Sequence, residues 1–210
     1  SMHSGDGGQW FRFLGMKYFL DGSLGSQTAW MKEAYQHREP YKGVYYWDLN
    51  ELKKELLKAQ KQGIAVAIHA IGDAAVEAAA DLLSQKGSVK FYPDRIEHAQ
   101  LVDEEIIEKL QHCNLVLSVN PSHLLTDHLT AEKHWGKRSM YAFANRRFLD
   151  ACLKIAISSD SPVESFNPWL GIMAAVTRKT EFSPEPWYPQ HCISSVSYTH
   201  LRAHETVLDL

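Results

Sequence analysis

Five short apolar runs separated by longer amphipathic stretches constrain what this chain can fold into more than any other feature. The runs centre near residues 17, 66, 96, 117 and 156, a spacing of roughly 30 residues, the size of one βα unit. The first strand is expected over 15–20, closed by the turn signal Asp21-Gly22-Ser23. Residues 23–47 show no period and are punctuated by Gly25, Pro40 and Gly43, which predicts a long loop. Leucines at 49, 52, 56 and 57 then repeat at helical spacing, with Asp48 placed to cap that helix and Gly63 to stop it. An apolar strand follows over 64–69, and a helix from Asp73 to near Gly87, for which Asp73 is read as the N-cap. Further strands are expected over 95–98, 115–119 and 154–158. Between them lie a helix capped by Asp103, a loop from Pro121 through Gly136, and a helix over 141–151. Apolar strands alternating with helices imply an α/β fold with a parallel sheet under helices. Five strands fall short of a complete (βα)8 barrel, which needs roughly 250 residues. The pattern fits a doubly wound domain or the later part of such a barrel.

Composition narrows the function classes. With 45% hydrophobic and 22% charged residues, the 210-residue chain can bury one core, which excludes collagen-like, coiled-coil and disordered readings. Its net charge is −3 and its Lys and Arg residues form no cluster, so no nucleic-acid footprint is visible. The longest apolar run, 64–68, is far short of the roughly 20 residues of a membrane helix. The start of the chain is polar and glycine-rich, without a secretory pattern. Cys113, Cys152 and Cys192 are odd in number and widely spaced, which fits neither a disulfide framework nor a thiolate zinc site and points to the reducing cytoplasm. Eleven histidines mean that any metal is held by imidazole and carboxylate. Gly5-Asp-Gly-Gly8 suggests a phosphate-binding loop, but no Gly-x-Gly-x-x-Gly or Walker pattern follows a strand.

Parallel α/β folds gather their chemistry at the carboxyl ends of strands. His69, His98 and Asp160 end the second, third and fifth strands, and the fourth runs into Asn120-Pro-Ser-His123. Two neutral imidazoles and a carboxylate with open positions make a catalytic, zinc-type set. Each residue also has a plainer reading. A single rim histidine is more often packed than ligating, and Asp160 before Ser161-Pro162 suits a turn. Lys17 is harder to dismiss, because a lysine inside an apolar strand needs a charge partner or a chemical change.

At these residues the chain resembles the amidohydrolase superfamily, in particular amidohydrolase family 3, which includes enzymes like N-substituted formamide deformylase. The segments are Lys17-Tyr-Phe-Leu-Asp-Gly-Ser-Leu-Gly-Ser-Gln-Thr-Ala29, Ala67-Ile-His-Ala-Ile-Gly-Asp73, Arg95-Ile-Glu-His-Ala-Gln100, Ser118-Val-Asn-Pro-Ser-His-Leu124, Trp135-Gly-Lys-Arg138 and Ser159-Asp-Ser-Pro-Val-Glu164. Asn167-Pro168 and residues 171–178 complete a collinear match over about 6–194. The resemblance implies a partial (βα)8 TIM barrel, strands four to eight with their helices. It implies that Lys17 becomes a carbamate bridging metals and that His69 and His98 are metal ligands. Asp160 is implied as both metal ligand and general base, and His123 and Arg138 as substrate contacts. The cofactor is then a divalent metal, zinc first, as one or two ions in the complete enzyme. The reaction is hydrolysis of a C–N bond in a small-molecule amide or formamide by metal-activated water. Homo-oligomerisation is compatible with this reading.

Two departures stand out. No His-x-His pair occurs anywhere in the chain, although the family carries one on its first strand, and the small β domain is absent too. Residues 1–194 are therefore read as a partial hydrolase domain, impaired when alone. Residues 195–210 resemble translated sequencing-adapter sequence and are read as a non-native tail, so His200 and His204 are given no role. The competing function is a non-catalytic, metal-binding remnant of such a barrel. The loop 23–47, rich in Tyr and Trp, is expected to give the pocket aromatic walls.

Overall fold

The computed structural model describes residues 2–87, 89 and 92–207, with side chains to residue 201. Five parallel strands lie side by side in chain order: β1 (Gly15–Phe19), β2 (Ala65–Ala70), β3 (Asp94–His98), β4 (Leu115–Val119) and β5 (Ile155–Ile157). A doubly wound sheet reverses its strand order at a switch point, and this one does not, so it is the arc of a barrel. Around the strands run α1 (Leu49–Lys61), α2 (Asp73–Gln85), α3 (Glu104–Gln111), α4 (His123–Trp135), α5 (Asn145–Asp150), α6 (Pro168–Thr177) and α7 (Ser195–Val207). No helix among the described residues is long and apolar enough to cross a membrane.

Sequence and structure agree closely over the first half. Asp48 caps α1 by accepting from the amides of Asn50 and Glu51, and Asp103 caps α3 by accepting from Ile106. Leu52 and Leu56 of α1, Val76 of α2 and Ile106 of α3 meet Ile68, Ile96 and Leu117 of the strands in one buried layer. A second apolar cluster, with Leu24, Met31, Tyr35, Trp135 and Phe143, fastens the long loop 23–47 over the C-terminal side of the sheet.

Three expectations change. Asp73 is not the N-cap of α2, because Gly72 holds that position. The Asp73 carboxylate accepts instead from the amides of Lys32 and Ala74, so it ties the loop to the helix. Residues 123–135, expected as loop, form α4, with Leu124, His128, Ala131 and Trp135 buried along one stripe. Pro121 lies just ahead of the first turn, where a missing N–H costs nothing. The helix expected over 141–151 shrinks to α5, because Phe143 adopts a left-handed φ of 50°. Residues 195–207 are helical, and Tyr198 is buried against Gly171 of α6, where an added Cβ would meet its hydroxyl at 2.4 Å.

On the far side of the sheet from the strand ends, Lys86 and Asp94 form an ion pair at 2.8 Å, with side chains only 1% and 4% exposed. Asp94 also accepts the amide of Val66, joining β3 to β2. Removing one partner of a buried pair leaves an uncompensated charge and typically costs about 3–5 kcal/mol. Asp94→Ala is expected to lose stability on that scale in urea unfolding. Lys86→Met should lose less, because the Asp94 carboxylate keeps the Val66 amide. Equal losses would mean that the Val66 amide bond adds nothing beyond the ion pair.

Candidate metal centre

The parallel register sets the heights of the strand ends. Phe19 pairs with His69, and Ala70 with His98, so the two histidines stand on neighbouring strands about one residue apart in height. Both point into the concave side of the sheet, with ring centroids 4.6 Å apart. His98 reaches there by leaving the pleat. It has a φ of 74° and Ala99 a φ of 45°, a left-handed pair that turns the side chain off the helix-facing side. Asp160, three residues beyond β5, also has a left-handed φ, of 57°. Such conformations persist for residues other than glycine only where the surroundings hold them, at roughly 1–3 kcal/mol each.

His123 is the first residue of α4, and its ring centroid lies 5.7 Å from that of His98. Its Nε2 is 3.3 Å from Asp160 Oδ2, yet it is buried with no hydrogen-bond partner. One donor atom each from His98, His123 and Asp160 falls within 4.8 Å of the other two. These three, with Lys17 and His69, line a cavity of about 440 Å³. His69 Nε2 bonds to the Gly22 carbonyl at 2.9 Å, which leaves Nδ1 as its free nitrogen. Lys17 is exposed on the cavity wall, its ammonium 4.9 Å above the Phe19 ring.

The electrostatics favour neutral rings. Burial, then the neighbouring His69, His123 and Lys17, lower the pKa of His98 to about 3. The Asn120 side chain beside the ring pulls in the opposite direction. Burial also lowers His69, against the pull of the Gly22 carbonyl. A neutral imidazole keeps a lone pair for a cation, and two nitrogens with one carboxylate oxygen suit a divalent metal. The donor set therefore fits one.

Beneath the site, Asp21 is 1% exposed and holds the rim together. Its Oδ2 accepts the amides of Trp30 and Gly72, and its Oδ1 accepts that of Ile71. Gly72 is required at this point, because a Cβ there would stand 2.0 Å from the Trp30 carbonyl. Burial raises the Asp21 pKa to about 7 even against those three amides.

Of the six site residues expected from the sequence, five line the cavity and one does not. His123, expected to touch substrate, lines the cavity and also stands in the donor cluster. Arg138 lies outside the cavity and gives its guanidinium to the carbonyls of Glu33, Ala34 and Trp135, so it braces the loop 23–47. That loop brings Ser23, Leu24 and Gly25 to the cavity but none of its aromatic residues. Tyr35 is fully buried, Trp30 packs on Tyr45, and Trp47 on Tyr18, so the aromatic walls are not there. Gln100, Asp127 and Glu164 line the cavity without having been singled out.

Residues 1–194 match the family model described as the amidohydrolase family. The chain belongs to that family. It is 36% identical over 174 residues to the Bacillus subtilis (strain 168) protein YtcJ, which covers 82% of this chain and 33% of that protein. It is 23% identical over 185 residues to an N-substituted formamide deformylase from Arthrobacter pascens, covering 86% and 33%. A metal-dependent hydrolase of uncharacterized activity from Pyrococcus furiosus superposes with a TM-score of 0.84 at 28% identity, over 99% of this chain and 43% of that one. This amidohydrolase chain thus spans about a third of the length of the curated relatives it matches, and α7 lies beyond the family match.

The buried rings have a consequence for acid stability. The unfolded chain protonates a histidine near pH 6.5, whereas folded His98 takes its proton only at about 3. Between those values the unfolded state holds the extra proton, so folding weakens as pH falls through the window. Asp21 contributes the opposite slope, since the fold keeps its proton up to about 7 and the unfolded chain releases it near 4. His98→Gln is expected to make the chelator-treated protein less acid-sensitive than wild type when urea midpoints at pH 7 and pH 5 are compared. An unaltered pH slope would contradict a neutral buried ring.

Proposed function

We propose that this chain carries the metal-holding part of a hydrolase that cleaves the C–N bond of a small amide or formamide with water. The observation that carries this reading is the convergence of His98, His123 and Asp160 at the strand-end rim, in a chain of the amidohydrolase family. In it, those three residues hold one divalent ion, zinc being the best match to the donors, and His69 offers Nδ1 beside them. The ion supplies Lewis acidity, which acidifies a water and polarises a carbonyl. Asp160, 27% exposed, accepts the proton of the attacking water and passes it to the leaving nitrogen as the C–O bond forms and the C–N bond breaks. Gln100, Asp127 and Glu164 give the cavity a polar wall, and Phe19, Leu24 and Ile71 an apolar one on which an amide substituent rests.

Lys17 enters this reading as a carbamate. As an ammonium it disfavours positive charge on both His69 and His98, and a dication at the same place meets the same field. Reaction of its amine with carbon dioxide replaces that charge with an anionic oxygen donor. Bicarbonate is then expected to tighten cobalt(II) or zinc(II) binding to the wild-type chain and to leave Lys17→Ala unaffected. Equal bicarbonate responses in the two would exclude the carbamate.

Metal analysis after dialysis against zinc, with hydrolysis of N-substituted formamides, tests the whole reading. One bound ion per chain and slow turnover are expected. His123→Ala should weaken zinc binding at least about tenfold, the lower range for losing even an outer-sphere partner. Asp160→Asn should abolish turnover. Zinc bound by wild type with no hydrolysis of any amide would instead support a non-catalytic metal-binding remnant.

A further inference from the structure

Asn120 stands at the end of β4, one position beyond Val119, between His98 of β3 and Ser158 of β5. It is 7% exposed. Its Nδ2 lies 2.7 Å from Ser158 Oγ and 3.4 Å from the Ser158 carbonyl. A backbone carbonyl only accepts, so the amide nitrogen must face Ser158 and the carbonyl end must face away. That end, Oδ1, is buried and has no partner. On the neighbouring strand His98 Nδ1 is also buried without a partner. A buried acceptor and a buried ring nitrogen left unpaired each cost about 1–3 kcal/mol, and one hydrogen bond between them removes both costs.

We infer that Asn120 is the positioning residue of the metal centre: its Oδ1 accepts a hydrogen bond from His98 Nδ1–H. The bond fixes the neutral ring in the Nδ1–H tautomer and leaves the Nε2 lone pair for the cavity that the ring lines. The arrangement mirrors that of His69, whose Nε2 is held by the Gly22 carbonyl and whose Nδ1 is left free. The two adjacent rings thus present opposite nitrogens, each chosen by an oxygen behind it, as ligating imidazoles usually are. Ser158 is the other end of the same device. Its amide donates to the Val119 carbonyl, so the β4–β5 ladder itself holds the Asn120 amide in place. The tautomer rests on the fold alone, and its use for ligation rests on the metal-centre reading above.

The test is long-range ¹H–¹⁵N correlation of the ring nitrogens in the metal-free chain, with His98 assigned by the signal missing from His98→Gln. Wild type is expected to show the Nδ1–H tautomer in large excess. Asn120→Asp, which keeps an acceptor in place, should preserve it. Asn120→Ala should shift the ring toward Nε2–H and weaken cobalt(II) binding about 10–100-fold. A wild-type ring in the Nε2–H form would overturn the inference without any variant being needed. So would a tautomer unchanged in a folded Asn120→Ala protein. If wild type binds no metal while the tautomer still follows residue 120, the metal-centre reading fails and the positioning bond stands.

Discussion

A parallel ladder commits each strand to one height relative to the next, because its slanted hydrogen bonds are evenly spaced along both partners. In this chain the commitment runs unbroken from β1 to β5, and it puts five carboxyl ends on one rim. The candidate metal centre is set by that rim. A slip of one residue between β2 and β3 would send His69 or His98 to the opposite face, and β2, buried at every residue, gives such a slip nowhere to go. The Asp21 carboxylate then fastens the start of the long loop to the end of β2 through three amides, so the rim is locked from outside the sheet as well as within it.

The strain lies where the ladder stops. His98, Ala99 and Asp160 all take left-handed backbone conformations, and two of the three carry donor atoms of the cluster. Pleated alternation alone would put His98 on the same side as the fully buried Ile96, under the helices. Turning it to the concave side requires the chain to leave the strand conformation at that residue. The Ala99 amide compensates by bonding to the carbonyls of Ala70 and Glu97, which pins the bend to both strands. A backbone so held gives a side chain few alternative directions, a condition for ligands that must meet within a few ångströms.

The strands and the histidines at their ends were legible because both signals are local. An apolar run of five residues between turn formers, followed by a polar residue, says strand and rim without any partner being known. The place of His123 was harder to read, for a related reason. Pro121 reads as a stop, and the eye then misses Leu124, His128, Ala131 and Trp135 recurring on one helical stripe. Once α4 is seen, its first residue must stand over the end of β4 among the other strand ends. The place of Arg138 was not legible for a different reason, since nothing local separates an arginine that meets a substrate from one that satisfies the Glu33 and Ala34 carbonyls about a hundred residues away. The sequence alone does not mark Asn120, because its meaning depends on two neighbours, His98 and Ser158, that only the sheet brings beside it.

Protons and metal ions read the same field at this site, and that links the pKa shifts to the choice of ligands. Burial and the Lys17 ammonium hold a proton off His69 and His98, which frees their lone pairs but also disfavours any cation placed among them. A dication is therefore held only if anionic oxygen outweighs both effects, since desolvating a charge costs several kcal/mol unless it is paired. Asp160 is the carboxylate inside the donor cluster, and Asp127 and Glu164 stand farther along the same wall. With Lys17 as an ammonium, one cation offsets one carboxylate at the centre and two imidazoles remain. With Lys17 as a carbamate the centre gains two units of negative charge, and the neutral rings become an asset. On the proposed reading, the chemical state of a single exposed lysine on β1 thus sets how far burying His98 helps the site hold a metal.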